Sequence, residues 1–152
     1  RTMAVASRRN PPMTAPAPVA PHRSKTLAGA LALVAGSVGA HRLYLGARWW
    51  WIYPLLSLPA MGIALRADPW YRHPGFFFAA AVALAAMLEA IVICLTPDPK
   101  WDAKHNPHSG RSSASGWPAV LVAMASLILG ATLMMSVLAI ALETLFTSMA
   151  GR

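Results

Sequence analysis

Two carboxylates stand inside otherwise apolar stretches of this chain. Glu89 lies in Met87-Leu88-Glu89-Ala90-Ile91, and Glu143 lies near the end of the last apolar run. An ionisable group at bilayer depth is costly, and it marks a proton relay, an ion path or a fixed partner. A relay needs further ionisable groups along the same run, and the run around Glu89 offers none. That favours a structurally paired or protonated, hydrogen-bonded Glu89, with an Arg or His across a helix interface as its partner. Glu143 reads as near the interface and solvated.

The remaining reactive residues are sparse. The histidines are His22, His41, His73, His105 and His108, and none lies in the middle of an apolar run. Haem or chlorophyll ligation by this chain is therefore not expected, and no cofactor held by its own ligands is expected. Structural lipids are compatible with the composition. Asp102, His105 and His108 stand at three-residue spacing, a weak metal pattern because Asn106, Pro107 and Gly110 make that stretch irregular. No metal site is expected. The single cysteine, Cys94, excludes an intrachain disulfide framework. No phosphate-binding glycine loop, Ser-His pair or paired carboxylates are present, so no catalytic residues are assigned and the chain is not read as an enzyme.

The elements that must position these groups are membrane helices. Hydrophobic residues make up 57% of the chain and charged residues 12%, against roughly a quarter charged in soluble domains. The net charge of +8 would suggest nucleic acid in a soluble protein, but the Lys and Arg residues flank the apolar runs, as a membrane protein's do. No nucleic-acid partner is expected; anionic headgroups account for the excess. Four apolar runs follow: 26–40, extendable to 45; 49–65; 76–95; and 117–146. A span needs about 20 apolar residues. The third run fits, the fourth is long enough to tilt or project, and the first two are short and read as a tight hairpin. Trp49, Trp50, Trp51, Tyr53, Trp70, Tyr71, Trp101 and Trp117 form belts at the run ends.

The stretch Gly36-Ser37-Val38-Gly39-Ala40-His41-Arg42-Leu43-Tyr44-Leu45-Gly46 resembles the TM2 domain family. The first helix of that family ends in Gly-x-x-Gly-x-His-Arg-Phe-Tyr-Leu-Gly. Leu43 stands at the Phe position, and Ser24-Lys25-Thr26 is similar to the family's basic lead into helix one. The resemblance covers residues 24–66. It implies two spanning helices joined by a short loop, and it implies no reaction. Family members often carry an Asp in the second helix; here that run has Pro54 and Pro59 instead.

Ala32, Gly36 and Ala40 recur every fourth residue and admit close backbone approach, as do Ser126 and Gly130 in the last run. With Gly39 these are the expected helix-packing residues. Gly46 suits a left-handed helix end. His41, Arg42, Tyr44, Arg48 and Trp49 to Trp51 are expected at the lipid interface, with Arg42 and Arg48 reaching headgroups. Pro54 and Pro59 predict a kink, with neighbouring helices or Ser57 answering freed carbonyls.

The fold class expected is an all-α integral membrane protein with four transmembrane helices and an extended Pro-rich N-terminal arm. The division is an arm over 1–25, a hairpin over 26–66, and a second helix pair over 67–152 with a polar connection at 97–116. The arm carries Pro11, Pro12, Pro16, Pro18 and Pro21 and no acid, so it cannot build its own core; it is expected to run across a partner. The leading functional expectation is a non-catalytic accessory subunit of a larger bacterial inner-membrane complex, respiratory or photosynthetic. Its partners would be other membrane subunits and phospholipids. Alternatives are a small transporter or channel using Glu89, and a homo-oligomeric lipid-binding protein. Arg exceeding Lys, with abundant Ala and Pro, is the compositional hint of a bacterial source. The Lys and Arg balance favours a cytoplasmic N-terminus by a small margin.

Overall fold

The computed structural model describes residues 21–151, and among these every regular element is helical. Of the arm expected over residues 1–25, residues 1–20 lie outside the described residues. The helices are α1 Lys25–Ala35, α2 Ala40–Tyr44, α3 Ile52–Ala64, α4 Pro74–Leu95, α5 Asp98–His105 and α6 Gly116–Ala150. Two of them, α4 and α6, are long and apolar enough to cross a membrane.

Local sequence sets several of these boundaries. Ser24 caps α1 by accepting the Leu27 amide, a common role for Ser at a helix start. His73 Nδ1 accepts the Gly75 amide at 3.0 Å, and Pro74 opens α4 where no intrahelical donor is needed. Pro59 sits inside α3, which remains one helix in the structure. Ser57 does not answer a carbonyl of its own helix as expected. Its hydroxyl donates to the Ser37 carbonyl at 2.7 Å, tying α3 to the turn that follows α1.

The first run is not one helix. It breaks at Gly36–Val38, a single 3-10 turn, and Gly39 at φ 72° reverses the chain. That left-handed conformation strains any residue with a Cβ. After the reversal α2 leads back toward the start of α1. There the Ser24 amide donates to the Tyr44 hydroxyl at 2.9 Å and the Arg23 guanidinium donates to the Leu45 carbonyl. Gly46, at φ 70°, has the left-handed conformation expected of it.

The two short runs, expected as a tight hairpin, are arranged along α4. With 11 and 13 residues, α1 and α3 measure about 16 and 20 Å, and each is too short for a core of about 30 Å. They lie against successive halves of α4. Gly29 of α1 and Gly36 just after it face Cys94 and Ala86, in the C-terminal half of α4. Ala60 of α3 lies beside Gly75, at the α4 N-terminus. Together the two short helices cover one length of α4.

The 35 residues of α6 run antiparallel to α4. Ala119 and Ala123 pack on Cys94, Gly130 lies beside Met87, and Arg72 just before α4 pairs with Glu143. The core is built largely from alanines: Ala28, Ala32, Ala64, Ala79, Ala80, Ala86, Ala90, Ala119 and Ala123 are all buried. Small side chains let helix backbones approach closely, the main route to attraction where lipid is as apolar as leucine.

Candidate functional site: a carboxylate cluster beneath a basic cleft

Glu89 is the centre of the site. On α4 it stands one and a half turns from the C-terminal end, at the level of the α1–α2 reversal. That reversal delivers two consecutive signature residues to it. His41 Nε2–H donates to Glu89 Oε2 at 2.6 Å. Arg42 donates through Nε to the same oxygen at 3.2 Å and through Nη2 to Oε1. A third donor comes from α3: the Tyr53 hydroxyl donates to Oε1 at 2.8 Å. Both carboxylate oxygens are therefore doubly engaged. The rings are packed as well, with the Tyr53 and His41 centroids 5.4 Å apart edge to face and the Arg42 guanidinium 5.1 Å from the Tyr53 centroid.

His41 is fully buried, and Arg42 turns inward to an acid. The expected positions of this pair among lipid headgroups are thus replaced by a polar cluster. The reason is energetic: a carboxylate out of water needs its lone pairs filled, and Arg fills two in one planar fork. Of the other expected interface residues, Arg48 and Trp49 to Trp51 are exposed, while Tyr44 is half-buried over the lead into α1.

Among the expected packing residues, Ala32 and Gly36 are buried against α4, and a Cβ on Gly36 would strike Ala86. Ala40 falls beyond the reversal and does not continue that face. Gly39 serves the turn, where a Cβ would meet the Trp50 carbonyl and the Tyr53 side chain. Ser126 is fully buried, and with Gly130 it lines an apolar crevice of about 150 Å³ between α4 and α6.

A second polar cluster closes the end of the bundle next to α5. Lys25, itself buried, donates to the Thr96 carbonyl at 2.8 Å and to Asp98 at 2.5 Å. Asp98 also accepts from the amide and hydroxyl of Ser115, just before α6. The Lys25 ammonium and then the Ser115 amide hold the Asp98 carboxyl down at about 2. Asp102 accepts the Ser113 amide and hydroxyl, each at 2.6 Å, and the Asn106 amide group; the Ser113 amide foremost holds it below the usual carboxylate range. Arg23 is gripped too: its carbonyl accepts from Trp101 Nε1 and Asn106 Nδ2. Arg23 and Lys25 thus dock on α5 and on Asn106 at its end.

His105 lies against Trp101, ring centroids 4.2 Å apart, and burial pushes its pKa down. His108 is exposed. Asp102, His105 and His108 do not converge, and among the described residues no group of three His, Cys, Asp or Glu side chains is placed to hold a metal.

Between the two clusters opens a cleft of about 720 Å³. Glu89, His41 and Arg42 line one end and Lys100, Lys104 and His105 the other, with Leu88 and Val92 of α4 along the wall.

The fold and the site define a helical membrane domain whose deep charges are matched within the chain. Residues 21–66, under a third of the chain, match the model of the TM2 domain, a membrane domain. No curated protein matches the chain significantly, and no solved structure does.

The sequence missed two things. In the sequence Tyr53 reads only as a belt aromatic, yet its hydroxyl donates to Glu89. The two faces of α5 were also missed. Asp98 and Asp102 are four apart, as are Lys100 and Lys104, offset by two, which puts acids and bases on opposite sides of a helix.

Proposed function

We propose that this chain is a non-catalytic structural subunit of a larger assembly in a bacterial inner membrane. The observation carrying the proposal is the far end of α6. With 35 residues it is about 52 Å long, well beyond a core of about 30 Å. Past the Arg72–Glu143 ion pair it still presents Leu145, Phe146 and Met149, 53%, 66% and 64% exposed. Apolar side chains beyond the level of a charged pair are suited to burial against another protein.

The rival readings find less support. A transporter using Glu89 would need that carboxylate free to exchange protons, and four hydrogen bonds from three side chains hold it. A homo-oligomer through the Ala32 and Gly36 face would need that face open, and α4 covers it.

Charge supports an orientation. Arg23, Lys25, Lys100, Lys104 and Arg111 gather at the α5 end of the bundle, while Arg66 and Arg72 are at the other. The richer end is cytoplasmic by the positive-inside rule. Because α1 and α3 together cover one length of α4, the bundle crosses three times, and the C-terminal end of α6 emerges on the opposite side.

Extraction from native membranes in mild detergent tests the role. The chain should migrate in a complex well above its own 16.2 kDa, and Phe146→Glu with Met149→Glu should release it. Migration of the unaltered chain on its own overturns the proposal.

A further inference from the structure

We infer that the cleft between α2, α4 and α5 is a binding site for an anionic phospholipid. The argument starts from α5, which begins three residues after α4 ends and so lies at headgroup depth. Its two acids are consumed: Asp98 by Lys25 and Ser115, Asp102 by Ser113 and Asn106. On the opposite face Lys100 and Lys104 line the cleft, and among the described residues neither has a carboxylate partner. The helix thus sorts its charges, spending acids inward and presenting bases to the opening.

The floor of the cleft adds a guanidinium. Glu89 is its only acid, and that charge is already matched by Arg42, with His41 and Tyr53 donating as well. The two lysines therefore leave the cleft with a net positive charge. A phosphate placed between them gains charge-assisted hydrogen bonds. The wall below is apolar: Leu88 and Val92 are 64% and 67% exposed and stand one turn apart on α4. A phosphate at the lysines would set an acyl chain along that stripe. A free anion would use the lysines but not the stripe, so the joint arrangement selects an amphiphile with a negative head. This site does not depend on the accessory role proposed above.

The test uses the purified full chain in detergent, with bound lipid counted by native mass spectrometry. Phosphatidylglycerol should be retained at least tenfold over phosphatidylcholine. Lys100→Ala with Lys104→Ala should lower phosphatidylglycerol retention by about tenfold, since each cation near an anionic surface contributes severalfold. Arg66→Ala, an exposed cation at the other end of the bundle, should leave it unchanged. Four results overturn the inference: no preference between the lipids, an unaltered double variant, an equal loss in Arg66→Ala, or displacement of the lipid by inorganic phosphate at equal concentration.

Discussion

Glu89 and Asp98 are both carboxylates held by a basic side chain and by hydroxyl-bearing neighbours, yet they sit in different solvents. Glu89 lies along the apolar length of α4, with three side chains from α2 and α3 converging on it. Asp98 lies beyond the end of α4, held by Lys25 and by Ser115. In hydrocarbon, an unfilled lone pair has no water to turn to. Near water, a lost partner is replaced at small cost. The same chemistry is therefore obligatory in one place and adjustable in the other. The deep cluster fixes which way the α1–α2 reversal faces; the outer one latches the start of α1 to α5.

The sharpest way to break this contrast is at Glu89. Glu89→Ala leaves Arg42, His41 and Tyr53 without their shared acceptor; with both charges about a third exposed to the cleft, it should cost about 2–3 kcal/mol, the loss of hydrogen bonds to a charged group. Thermal unfolding in detergent measures it. Glu89→Leu with Arg42→Met, which removes both charges, should recover much of that loss. A cost under about 1 kcal/mol for Glu89→Ala would mean that the cluster is not what holds the turn.

Gly36→Leu comes next. It keeps every charge but forces a side chain into Ala86, and overpacking of this kind costs about 1–3 kcal/mol. Tyr53→Phe removes one of three donor side chains and should cost about 1 kcal/mol, leaving the fold intact in the same melting experiment. Equality with Glu89→Ala would show that the hydroxyl, not the charge pair, dominates.

The outer latch should respond to acid. Asp98 is held at about 2, below the ordinary Asp value of about 4. A depressed carboxyl contributes its full stability above the ordinary value and loses it as pH falls through about 2. Between about pH 4 and pH 2 the α5 amides should therefore lose hydrogen-exchange protection. Asp98→Asn should mimic the change at neutral pH. Protection that stays constant over that window would remove the latch from the account. The smallest effect belongs to Arg72→Ala, whose exposed pair with Glu143 should contribute about 0.5 kcal/mol or less.

Much of this molecule is legible in its residues taken singly. The all-helical class follows from composition, and the long runs become α4 and α6. Gly46 takes the conformation assigned to it, and Glu89 stands out as a deep acid to be either paired across an interface or kept protonated and hydrogen-bonded. The choice of His41 and Arg42 for that partner was not legible, because in the sequence the pair stands at the end of an apolar run, where basic groups ordinarily meet headgroups. Run one also reads as one continuous helix through its four-residue spacing, and only the reversal at Gly39 shows that the spacing ends there.

What the sequence determined by itself is where water is excluded, since apolar runs and flanking charges depend on transfer energies that are properties of each residue. What the tertiary structure decided is which charges meet. Pairing His41, Arg42 and Tyr53 with a carboxylate 36 to 48 residues away depends on a chain reversal and on helix register. Two short helices sharing one length of α4 is likewise a packing result: close approach at Gly29 and Gly36 requires a partner surface of small residues, Cys94 and Ala86, and no single stretch of sequence contains both halves of that contact.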